Sequence, residues 1–123
     1  MDYSERNAAA MDVAGQLFPN GDVPSGLPPE FIQTSLGHLF GEIWARPGLS
    51  VKLRSLVTVT AVVALGRNAE TRIHLRGALS IGWTPEELKE AITHIAYYAG
   101  FPTALEGHRI LAEVLAEAAS ADG

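Results

Sequence analysis

The segment Gly82-Trp83-Thr84-Pro85-Glu86-Glu87 constrains the fold more than any other. Glycine stops a helix by taking a left-handed conformation, threonine offers a side-chain oxygen to the free amides of the next one, and proline is preorganised for a first helical position. Glu87, three residues after Thr84, completes a capping box. The chain must therefore leave one helix and enter another within a few residues. From about Pro85 to Tyr98, Leu88, Ala91, Ile92 and Ile95 recur at three- and four-residue spacing, the signature of one buried helical face, and Gly100 stops the run.

The same punctuation divides the rest of the chain. A last helix is predicted from about Pro102 to Ala118, with Ala104, Leu105, Leu111, Val114 and Leu115 on its inner side, and residues 120–123 as a frayed tail. Asn68 is predicted to cap a helix through about Ser80, and Ser50 to cap one ending near Gly66. Within the latter, Val57, Thr58, Val59, Thr60, Val62 and Val63 are β-branched and also suit a strand. A lone strand among helices has nothing to pair with, so helix is the better reading. Pro28 and Pro29 open a further helix carrying Phe31, Ile32, Leu36, Leu39, Phe40 and Ile43, ended by Arg46-Pro47-Gly48. A short helix from about Glu5 to Leu17 precedes it, joined by a loop over Pro19 to Gly26. The predicted fold class is all-α, a bundle of about six helices: residues 1–26 as N-terminal helix and loop, and 27–119 as the helical domain.

Composition limits the function. The chain has 123 residues, 47% of them apolar and 19% charged, which suits one compact domain. Nine Lys and Arg against fourteen Asp and Glu leave a net charge of −5, the wrong sign for neutralising phosphates, so neither nucleic acid nor an acidic membrane is an expected partner. The absence of cysteine removes disulfides, thiolate metal sites and dithiol redox chemistry. The first residues lack a basic region followed by an apolar run, and no apolar stretch approaches the roughly 20 residues of a membrane span, so a cytoplasmic location is expected.

Chemistry falls to histidines, carboxylates and arginines. Glu70 lies one helical turn before His74, so a carboxylate shares a face with an imidazole and is expected to orient it and raise its proton affinity. An exposed ion pair is the plainer account of the same spacing. His38, Glu42 and Arg46 recur every fourth residue, placing a base, an acid and a guanidinium on one stripe if the helix stays regular; a solvated polar face is the alternative. His94, between Ile92 and Ile95, borders the apolar stripe and reads first as a core histidine, whereas His108 reads as surface. No H-E-x-x-H, no Glu-x-x-His pair on two helices and no Gly-rich phosphate loop after a strand is present, so neither metal nor nucleotide cofactor is expected.

Several segments occur together in a telling order: Phe40-Gly41-Glu42-Ile43-Trp44-Ala45-Arg46-Pro47-Gly48-Leu49-Ser50, then Arg54-Ser55-Leu56-Val57-Thr58-Val59, then Ala64-Leu65-Gly66-Arg67 leading to Glu70 and His74-Leu75-Arg76-Gly77-Ala78-Leu79, and Tyr97-Tyr98-Ala99-Gly100-Phe101-Pro102-Thr103-Ala104. From roughly Phe31 to Ala116 the chain resembles the carboxymuconolactone decarboxylase family, of alkylhydroperoxidase-like helical fold. The resemblance implies small helical subunits assembled as homotrimers or homohexamers, with sites framed between subunits. The family's peroxidase branch has two cysteines ahead of the histidine; here Arg67 and Glu70 hold those positions, so disulfide-based peroxide reduction is excluded.

The family's name-giving reaction needs no cofactor, because the substrate's own conjugated carbonyl takes up the electrons released with CO2. The resemblance thus implies a decarboxylase, lyase or isomerase acting on a small acidic conjugated lactone or enolisable carbonyl compound. Such a site needs a carboxylate holder, a donor to the developing enolate oxygen and a proton donor to carbon. Arg46, His94 and His74 are the candidates in that order, with Glu70 orienting His74 and Glu42 and Trp44 beside Arg46. The alternative is a non-catalytic oligomeric protein that binds small molecules with the same fold.

Overall fold

The structure, a computed structural model, describes residues 2–19, 21 and 26–122. Among these residues every regular element is helical: α1 (Tyr3–Leu17), α2 (Pro29–Phe31) running on into two π-helical stretches (Ile32–Leu36 and Leu39–Ile43), α3 (Val51–Ala64), α4 (Asn68–Ile81), α5 (Pro85–Ala99) and α6 (Phe101–Asp122). The all-α expectation holds. Most of the predicted Pro19–Gly26 loop lies outside the described residues.

The capping signals act as read. Thr84 accepts from the Glu87 amide at 3.1 Å while Glu87 accepts from the Thr84 amide at 3.0 Å. Gly82 ends α4 at φ 116°, which only glycine adopts cheaply, and Ser50 Oγ accepts from the Leu53 amide at 3.1 Å to start α3. At the N-terminus the helix begins two residues earlier than expected, because Asp2 and Glu5 form a second capping box.

Three local expectations are corrected. Asn68 is the first residue of α4 instead of its cap; its side-chain amide reaches across to Glu106 Oε1 at 3.3 Å. Leu105 is exposed, and Ile110 fills the inner face of α6 in its place. The helix does not fray after Ala118 but continues to Asp122.

The 29–43 segment departs most from the expected α-helix. The Trp44 amide bonds to the Leu39 carbonyl, five residues back, at 2.8 Å. Thr34 Oγ1 donates to the Glu30 carbonyl at 2.7 Å and Ser35 Oγ to that of Phe31. These are the carbonyls an α-helix reserves for the amides four residues on, so the hydroxyls compete with regular winding. Such wide turns recur at functional sites in proteins.

Two apolar clusters hold the molecule. The larger joins α3 to α6 through Val59, Val63, Leu75, Leu88, Ile92 and Leu111. The smaller packs Val13 and Leu17 of α1 on Trp44, with Phe18, Phe40, Val51 and Ile81 at its edge. Glycine makes this docking possible: a Cβ at Gly77 would lie 2.8 Å from the Leu17 carbonyl oxygen, and one at Gly41 would collide with the Arg6 backbone. Arg6 then reaches over the 29–43 segment to donate to the Gln33 carbonyl at 2.9 Å.

Candidate active site

A cavity of about 610 Å3 opens between α1, the 29–43 segment and α4. From α1 come Asn7, Ala10, Met11 and Ala14, one helical face at three- and four-residue spacing. The opposite wall is largely Ile32, Leu36, Leu39 and Phe40, with Gln33 among them. Glu70, Ile73 and His74 of α4 complete it, so the two residues paired by spacing stand together in one hollow.

The His74 ring is clamped between aromatics. Trp44 stacks on it with centroids 6.4 Å apart and planes at 17°, and Phe18 meets it edge-on at 5.9 Å. Its Nδ1 is buried and has no hydrogen-bond partner among the described residues. Burial disfavours the imidazolium and holds the pKa below the ordinary value of 6.5; the Glu70 charge pushes the other way and loses. This corrects the expectation of a raised proton affinity, because one exposed carboxylate does not offset the loss of water around the ring.

The remaining candidates stand elsewhere. His38 and Glu42 pair with one another on the exposed side of the 29–43 segment, and that hydrogen bond lowers the Glu42 pKa. Arg46 does not continue their stripe, since the chain has left the helix there; its carbonyl accepts from Arg54 at 3.3 Å, and Arg54 also donates to the Leu49 carbonyl at 3.2 Å. Arg54 thereby pins the reversal through Pro47 and Gly48. Trp44 is buried and forms one side of the His74 clamp. His94 is exposed and stacks on Tyr98 at 5.0 Å, so it is neither a core histidine nor part of this cavity. His108 bonds to Thr93 Oγ1 at 3.1 Å beside a second hollow of about 430 Å3 between α5 and α6.

Sequence reasoning missed Asn7, Met11 and Gln33. Gly37 and Gly41, four residues apart in a helical stretch, were the available signal: each costs roughly 0.5–1 kcal/mol against alanine in a helix, a cost explained by the Arg6 backbone against Gly41 and the Arg6 guanidinium against Gly37. Among the described residues no cluster of three or more His, Asp or Glu suits a metal ion, and no helix is long and apolar enough to cross a membrane.

Comparison with known proteins covers two of these walls, the 29–43 segment and α4. Residues 29–113 match the sequence profile of the Carboxymuconolactone decarboxylase family. Over 75 residues the chain is 47% identical to a 4-carboxymuconolactone decarboxylase of Acinetobacter baylyi, covering 61% of this chain and 56% of that one. Over 67 residues it is 40% identical to a nitrosuccinic acid decarboxylase of Metarhizium robertsii, covering 54% and 47%. The chain thus matches about half the length of each relative. The α1 wall of the cavity precedes the residues matched to the family.

Proposed function

The chain belongs to the carboxymuconolactone decarboxylase family, and from that membership we propose that it is a cofactor-independent decarboxylase acting on an acidic conjugated lactone or enolisable carbonyl compound. The observation that carries this reading is His74, held by Trp44 and Phe18 at the wall of an apolar cavity with Glu70 one turn away. The names of the two relatives support it through one electronic feature. In 4-carboxymuconolactone and in nitrosuccinic acid alike, a carboxylate stands on a carbon joined, directly or through an alkene, to a group that accepts an electron pair.

In the proposed reaction the bond to CO2 breaks and its electron pair enters the conjugated acceptor, leaving an enolate. His74, as imidazolium, passes a proton to carbon and becomes neutral; one proton from solvent restores it, so each turnover takes up one proton. The apolar walls oppose the charged carboxylate more than the dispersed charge of the enolate, which favours loss of CO2. Arg46 and His94 stand outside the cavity, and no step is assigned to them. Incubation of the purified protein with muconolactones, followed by CO2 release and loss of ultraviolet absorbance, tests the reading; no conversion of any carboxylated butenolide or enolisable acid refutes it.

The proton inventory fixes a pH dependence. The imidazolium is the active form and its pKa is depressed, so kcat/KM falls as pH rises through a value below 6.5. Glu70 opposes the depression. Glu70→Gln is therefore expected to move the falling limb to still lower pH, and an unmoved or raised limb assigns the titration to another group.

We also propose a homo-oligomer, a trimer or hexamer in keeping with the resemblance. Tyr97, Phe101 and Leu105 stand together beside the α5–α6 hollow and are 74%, 64% and 74% exposed, and large apolar side chains gathered on a surface mark association sites. Light scattering is expected to give a mass several times 13.1 kDa. A stable monomer at micromolar concentration overturns it.

A further inference from the structure

We infer that Arg6 of α1 is the electrostatic anchor for a second carboxylate of the ligand, the one that stays when CO2 leaves; this rests on reading the Glu70–His74 cavity as the place where an acid is decarboxylated. The guanidinium stands against the cavity wall. Its Nη2 donates to the Gln33 carbonyl at 2.9 Å, and a Cβ built on Gly37 would lie 3.2 Å from the same nitrogen. Gln33 and Gly37 both line the cavity, as does Asn7, the residue after Arg6. At Gly37, therefore, one backbone residue without a side chain separates the charge from the hollow.

Packing alone does not explain a charge placed this way. Arg6 is half-buried, and its Nε is buried with no hydrogen-bond partner among the described residues. The guanidinium lies over the Tyr3 ring, 4.7 Å from its centroid. Among the described residues no carboxylate comes within ion-pair distance of it: Glu42 feels its field but is hydrogen-bonded to His38. A cation that gives up water without meeting an anion costs stability, and so do Gly37 and Gly41, the helical glycines that make room for it. A ligand carboxylate supplies the anion. An acid entering the hollow meets Glu70, on a chain whose net charge is −5, so a cation at the wall offsets that repulsion. Across a wall one residue thick, away from bulk water, salt screens the attraction little.

Succinate and its uncharged diamide, succinamide, separate charge from shape. In calorimetric titrations of the intact protein, Arg6→Gln is expected to weaken succinate binding at least tenfold and succinamide binding less than threefold, whereas Arg6→Lys, which keeps the charge, stays within threefold of the unaltered protein for both. A purely structural Arg6, pinning α1 to the Gln33 carbonyl, weakens both ligands alike in Arg6→Gln, and that result overturns the proposal. So does succinate affinity unchanged in Arg6→Gln, the outcome expected if a cation from a second copy of the chain holds the acid. The assigned Arg6 Nε–H resonance of the unaltered protein decides the matter even if a variant does not fold: succinate is expected to shift it saturably, and a resonance that succinate leaves unmoved overturns the proposal. Turnover is scored separately. On any diacid the protein decarboxylates, Arg6→Gln is expected to raise KM at least tenfold with kcat within threefold, because the anchored carboxylate is held alike in substrate and transition state. Turnover with KM unchanged in Arg6→Gln removes the anchor and leaves the reaction standing, whereas Arg6-dependent succinate binding without decarboxylation of any acid does the reverse.

Discussion

His74→Gln is expected to lower turnover at least about 10²-fold on any substrate the unaltered protein converts, the usual contribution of a positioned general acid or base. Glutamine is close to histidine in size and can hydrogen-bond, but it does not carry a proton to carbon. The ring's surroundings make the loss specific: Trp44 and Phe18 fix its orientation, and its buried Nδ1 has no competing partner among the described residues. A stability effect is separable, because the folded chain disfavours a charged His74. That penalty is absent above the unfolded-state pKa and grows as pH falls below it, so His74→Gln should remove part of the acid sensitivity of the melting temperature. Full activity in a folded His74→Gln protein ends the assignment.

What the sequence disclosed and what it hid divide along a physical line. Caps and stops act within a few residues, so Gly82 to Glu87 and Ser50 were legible from neighbours alone. The Glu70–His74 spacing was legible for the same reason. Its electrostatic consequence was not, because the direction of the His74 shift is set by burial that Trp44 and Phe18 bring from distant segments. The 29–43 helix showed its apolar pattern but not its wide winding, which depends on hydroxyls of Thr34 and Ser35 competing for carbonyls. The stripe from His38 through Glu42 to Arg46 was conditional on a regular helix, and Pro47 after Arg46 marked where the chain leaves it, as it does. The α1 wall was least visible, since Asn7, Ala10 and Met11 carry no motif and gain meaning only through the tertiary contact that glycine permits.

That contact gives the largest stability effect expected of any small substitution in the chain. Gly41→Ala in an open helix should stabilise by roughly 0.5–1 kcal/mol, because alanine loses less backbone freedom on folding. Here the added methyl would strike the Arg6 carbonyl oxygen and come within 2.8 Å of Arg6 Cγ. A flexible side chain could move aside, but a backbone carbonyl inside α1 moves only with its helix. The helix would have to lift from the 29–43 segment, loosening the Val13, Leu17 and Trp44 cluster. Overpacking of this kind costs about 1–3 kcal/mol or more, which outweighs the propensity gain and should lower the melting temperature by roughly 4–12 °C. The lifted helix is also the wall bearing Asn7 and Ala10, so KM should rise even where the variant remains folded. Gly15→Ala supplies the contrast: Gly15 lies in α1 with nothing within 4 Å of its added methyl, and the substitution should leave the protein as stable as before or slightly more so. If Gly41→Ala melts as high as Gly15→Ala, α1 is not held by this contact, and the cavity it closes has another wall.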